Sequence, residues 1–130
     1  MKSSSIVACI LGYTSVLTVA EVNFAVSLTP LPGKEDAASN FLAKTIDDFH
    51  QIKPIGQTEL FAFKNLDGRL IGIEQYTDEQ AALNWVFNKT HVDACLPMFG
   101  LFDVLSMQVL TDASLNTQHA FTKALTTKPS

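Results

Sequence analysis

The chain has 130 residues, 47% hydrophobic and 17% charged, with a formal net charge of -4 at pH 7. That length suits a single domain, and the apolar fraction exceeds what a freely soluble monomer needs, so a partner or ligand is expected to cover part of the surface. Nine Lys plus Arg, with no clustered basic face, exclude nucleic acid as a partner, because phosphate neutralisation needs concentrated cations.

Residues 1–20 admit two readings. Lys2 precedes a mostly apolar run from Ile6 to Val19, and Thr18-Val19-Ala20 supplies small residues before Glu21, as at a signal-peptide cleavage site. Gly12, Tyr13, Thr14 and Ser15 interrupt the run, which also fits an extra N-terminal strand. The protein is exported in the first case and cytoplasmic if the segment is retained. The stretch is too short and polar for a spanning helix, so no integral membrane segment is expected.

From Val22 to Leu28, apolar Val22, Phe24, Val26 and Leu28 alternate with Asn23, Ala25 and Ser27, the period of a strand with two different faces. Pro30 and Pro32 end it. After Gly33, the spacing of Ala38, Phe41, Leu42, Thr45, Ile46 and Phe49 predicts an amphipathic helix, with Glu35 and Asp36 placed where its dipole favours anions. Pro54-Ile55-Gly56 stops that helix. Thr58–Lys64 and Arg69–Tyr76 then read as two strands joined at Asn65-Leu66-Asp67-Gly68, since Asp-Gly tolerates the positive φ of a tight turn. Ile71 and Ile73 share one face of the return strand. Thr77 and Gln80 suggest a capping box for a second helix carrying Ala82, Leu83, Val86 and Phe87. A further helical turn holds His91, Val92, Cys95 and Leu96 before Pro97, and Phe102–Leu110 is the expected last strand. Residues 112–130 form a tail, read as a short helix around His119 to Leu125 or as an arm.

The order β-α-β-β-α-β predicts an α+β, ferredoxin-like antiparallel sheet with both helices on one face. The other face is expected to meet a second copy in a homodimeric α/β barrel. The domain is taken as residues 21–111.

Pro32-Gly33 after the first strand, Ile73-Glu74-Gln75-Tyr76 closing the third, and Thr90-His91 after the second helix resemble the antibiotic-biosynthesis monooxygenases and their quinol-monooxygenase relatives, from Val22 to about Leu110. The resemblance implies a homodimer with a ligand pocket between sheet and helices in each subunit. It also implies oxidation of phenolic or quinol-type substrates by molecular oxygen without flavin, haem or metal. The haem-degrading branch of the superfamily carries an Asn on strand one and a His ten residues after a Trp. Here Val26 and Cys95 occupy those places, which argues against haem degradation.

His91 is the candidate catalytic base, with an ordinary imidazole pKa near 6.5; its rival reading is a helix-end histidine. Trp85 and Tyr76 are candidate substrate contacts, by stacking and by hydrogen bonding, and Phe24, Val26, Phe63 and Phe87 the candidate apolar wall for a small aromatic ligand. Glu74 is read as structural, accepting from backbone or Arg69. Cys9 and Cys95 have no metal-ligand spacing, and Asp47, Asp48, His50 and Asp93 match no short metal motif. No cofactor or metal is therefore expected. The competing functional reading is a non-catalytic small-ligand-binding or accessory protein. A His91 cavity of roughly 300 Å³ or more favours the enzyme, and a packed interior favours the alternative.

Overall fold

Strand β1 spans Val22–Leu28 and helix α1 Glu35–Ile52 in the computed structural model, which describes residues 21–129. The expected leader or first strand, and Cys9, lie outside the described residues. Strands β2 (Gln57–Lys64) and β3 (Leu70–Tyr76) follow, then helices α2 (Glu79–Val86), α3 (Lys89–Cys95) and α4 (Met98–Leu101). A 3₁₀ turn at Val104–Ser106, strand β4 (Gln108–Thr111) and helix α5 (Leu115–Thr126) complete the order. The sheet runs β2-β3-β1-β4 with every neighbouring pair antiparallel, the ferredoxin-like arrangement expected from the sequence.

Register explains the core. Phe24 pairs with Glu74, Val26 with Gly72 and Leu28 with Leu70, so β1 and β3 present these residues to one side. Phe24, Val26, Leu28 and Leu70 are buried there with Ala38 and Phe49 of α1 and with Ala82, Trp85 and Val86 of α2. Each large side chain removed from water in this way stabilises the fold by about 1.5–3 kcal/mol. Helix α5 belongs to the same core: Phe121 stacks on Phe24 with ring centroids 4.0 Å apart and is fully buried. The tail thus takes the helical form of its two expected forms.

The opposite face carries Ala25 and Ser27 of β1, Ile71 and Ile73 of β3, Phe61 and Phe63 of β2, and Leu110 of β4. Phe61, Phe63 and Leu110 are 46%, 49% and 73% exposed, so this apolar surface lies open.

Several local expectations are corrected. Asp78, not Thr77, caps α2, accepting from the Ala81 amide at 2.8 Å. Thr77 instead donates its amide to the Gly56 carbonyl at 2.8 Å. Gly56 has φ +84°, and a Cβ there would sit 2.6 Å from that of Ala81, so the tight link between α1 and β2 requires glycine. The expected strand at Phe102–Leu110 is shorter and later, because Asp103 caps the 3₁₀ turn by accepting from the Leu105 amide at 3.2 Å. Arg69 pairs with Asp67 at 3.1 Å and not with Glu74.

Candidate active site

A cavity of about 60 Å³ lies between the inward face of the sheet and helices α1, α3, α4 and α5. Val26, Gly72 and Glu74 form its floor, Phe41, Leu42 and Phe49 line it from α1, His91 and Cys95 from α3, Met98 from α4, and Leu125 from α5. The walls are almost wholly apolar. Strand alternation puts Glu74 inside: as the partner of buried Phe24 it must face the helices.

Tyr76 donates its hydroxyl to Glu74 Oε1 at 2.5 Å, and Gln57 Nε2 donates to the Tyr76 oxygen at 3.2 Å. Burial raises the Glu74 carboxyl above the usual carboxylate range despite that hydrogen bond. The Tyr76 hydroxyl is raised as well, first by burial and then by the neighbouring Glu74 charge. On α3, His91 and Cys95 are four residues apart and so share a helix face. Cys95 Sγ lies 3.6 Å from His91 Nε2. Burial pushes the thiol up to about 12, with the Glu74 charge adding to it, which keeps it a thiol and a poor nucleophile at neutral pH.

His91 is buried among aromatic rings. It stacks on Phe49 at 5.4 Å with a 29° interplanar angle and meets Trp85 edge-on at 5.4 Å. Burial pushes its pKa down to about 4, against a smaller opposing effect of the Val86 carbonyl. The expectation of an ordinary imidazole is therefore corrected: desolvation favours the neutral ring.

The other sequence candidates divide. Tyr76 and Val26 stand at the cavity or against its carboxyl, and Phe24 lies beneath, edge-on to Tyr76 at 6.0 Å. Phe63 is not on the cavity wall, because its strand position turns it to the open face. Phe87 caps the C-terminus of α2 and is 55% exposed. Trp85 packs edge-on against Phe49 at 5.1 Å and faces an outer cleft of about 560 Å³ beside Ile55 and Asn88 instead of the His91 cavity. Its indole N–H is buried without an acceptor among the described residues. Sequence reasoning missed Cys95 and Leu125 as lining residues, and it read Glu74, which the structure places in the cavity floor, as structural. The alternation that aligns Glu74 with Phe24 was the available signal for the last.

Comparison with solved structures decides the fold. SnoaB from Streptomyces nogalater, described as a cofactor-independent oxygenase, aligns with a TM-score of 0.59 at 16% identity, covering 72% of this chain and 92% of its own. A Bacteroides thetaiotaomicron protein, provisionally assigned as an antibiotic biosynthesis monooxygenase, aligns at 0.60 and 13% identity, covering 73% of this chain and 90% of its own. The fold is that of the antibiotic-biosynthesis monooxygenases. Rv0793 from Mycobacterium tuberculosis aligns at a TM-score of 0.62 and 18% identity, covering 74% of this chain and 96% of its own. Neither a protein-family model nor a curated protein matches the sequence. Among the described residues, no helix is long and apolar enough to cross a membrane.

Proposed function

We propose that the chain is a cofactor-independent monooxygenase acting on a phenolic, quinol-type or polycyclic aromatic small molecule. The observation that carries this reading is the Glu74–Tyr76 pair at the floor of an otherwise apolar cavity. A carboxylate whose proton affinity is raised by burial is a stronger proton acceptor than an ordinary one. Removing a proton from a bound phenol or activated methylene leaves an electron-rich anion that reacts with oxygen directly, so proximity and a dry site are what the protein supplies. His91, neutral and fixed by stacking, shapes the cavity and offers a hydrogen-bonding edge beside Cys95. This moves the base role from His91 to Glu74, because a pKa of about 4 makes imidazole the weaker acceptor at neutral pH.

Anthrone tests the reading. Its methylene carbon becomes a carbonyl, one oxygen atom of O₂ enters the product, and the other leaves as water with the two methylene hydrogens. The expected result is one O₂ consumed per anthraquinone formed, at a rate well above buffer and unchanged by chelator. A rate equal to buffer in protein that binds anthrone would instead establish the second reading, a non-catalytic ligand-binding or accessory protein. The cavity volume favours that alternative, since about 60 Å³ is far below the roughly 300 Å³ of an ordinary ligand pocket.

The open sheet face supports a homodimer, with Phe61, Phe63 and Leu110 as its apolar centre. The double variant Phe61→Glu/Phe63→Glu should be monomeric by light scattering at micromolar concentration where the parent is a dimer, because like charges at the centre of a self-complementary interface repel. A parent that is itself a clean monomer would remove the barrel assembly.

A further inference from the structure

The His91 cavity has a neighbour. A second small space of about 20 Å³ lies beside α3, walled by Val86, Phe99 and the end of α5. The two spaces share three wall residues, His91, Cys95 and Leu125. Two of these are held firmly: His91 by its aromatic stack, Cys95 by its place on α3. Leu125 sits in the last turn of α5.

Helix α5 is anchored unevenly. At its start, Glu79 accepts hydrogen bonds from the Ser114 amide at 2.9 Å, from the Ser114 hydroxyl at 2.9 Å and from the Thr117 hydroxyl. At its end, the hydrogen bonds among the described residues stay within the helix, from Thr126 to the Thr122 carbonyl and from the Thr127 amide to the Lys123 carbonyl. The last turn is held to the body by apolar contact, with Leu125 8% exposed.

We propose that Leu125 is the residue that sets the size of ligand the cavity accepts. This rests on the reading of the cavity as a ligand pocket, and not on the oxygen chemistry. With Leu125 inward, the space beside Glu74 takes no more than a couple of waters. Truncation of the side chain cuts back a wall that the two spaces share, toward the roughly 150 Å³ at which an apolar cavity is known to hold one benzene-sized ring. The group that enters is therefore one phenolic ring, alone or as the leading ring of a larger molecule, with the ring between Phe49 and the sheet and its hydroxyl toward Glu74. In the parent such a ring enters only as the last turn of α5 carries Leu125 outward.

Titration calorimetry with phenol tests this on the full chain, with Leu125 replaced by Ala, Val and Phe. Affinity is expected to fall in the order Ala, Val, parent, Phe, with Leu125→Ala at least about tenfold tighter than the parent, a difference of about 1.4 kcal/mol. The Val variant removes a single methylene and carries the comparison if the Ala variant does not fold. Equal phenol affinity across the folded variants overturns the role of Leu125 while leaving the pocket reading in place. Phenol binding by none of the chains overturns both. Tighter binding by Leu125→Ala without anthrone turnover supports Leu125 and sinks only the oxygenase reading.

Discussion

Glu74→Gln is expected to lower anthrone turnover by about 10²-fold or more while making the folded chain more stable than the parent at pH 8. Gln keeps the size of the side chain and can still accept from Tyr76, but it cannot take a proton, and loss of a positioned acid–base group costs about 10²–10⁴-fold. The stability effect follows from linkage. Burial raises the Glu74 carboxyl in the folded state above its unfolded value of 4.5. Its favourable contribution is then complete below pH 4.5 and is lost as pH rises through the folded pKa, because the unfolded chain ionises first. The parent should therefore lose stability relative to Glu74→Gln from pH 5 to pH 8, and the two should converge near pH 4. Melting temperatures across that range measure it. A variant less stable than the parent by the same margin at every pH would show Glu74 to be an ordinary ionised carboxylate held by structural hydrogen bonds.

How far the site was legible depends on which face of a strand could be assigned. In β1 the alternation is sharp, with Phe24 buried and Asn23 exposed, and the Asp67-Gly68 turn fixes the hairpin, Gly68 having φ +90°. In β3 the alternation misleads. Ile71 and Ile73 look like the core set, yet the inward set is Leu70, Gly72, Glu74 and Tyr76. Both faces of this sheet are apolar, one for the helices and one left open, so hydrophobicity alone cannot orient β2 or β3. Phe63 was misplaced for that reason. Phe87 was misplaced for another: it follows Val86 directly, and adjacent residues on a helix point about 100° apart. Pairing with β1, where orientation was unambiguous, is what turns Glu74 inward, and pairing register is a tertiary fact. The closure of the cavity by Leu125 was likewise hidden, because helix α5 had no strand pattern or motif to dock it.

His91 separates a titrating base from a packed ring by its behaviour between pH 4 and 6.5. The imidazole is 6% exposed and its pKa is pushed down from 6.5 to about 4. A group depressed in this way contributes stability that is fully present above pH 6.5 and is lost as pH falls toward 4, since the unfolded chain takes up the proton first. Over that interval the loss amounts to about 3 kcal/mol, because each tenfold difference in proton affinity between the folded and unfolded chain is worth about 1.4 kcal/mol. His91→Phe keeps a ring against Phe49 and Trp85 and has no proton to gain, so between pH 7 and pH 4 its melting temperature should fall less than the parent's, by roughly 10 °C. His91→Ala, by contrast, leaves a void between those rings and should cost about 2–4 kcal/mol above pH 6.5, a cost that shrinks toward pH 4 because Ala has no proton to gain either, which makes it a poor probe of chemistry. With Glu74 as the proton acceptor, turnover by His91→Phe at pH 8 should stay within about tenfold of the parent. A loss of 10²-fold or more in a variant that melts like the parent at that pH would return the base role to the imidazole.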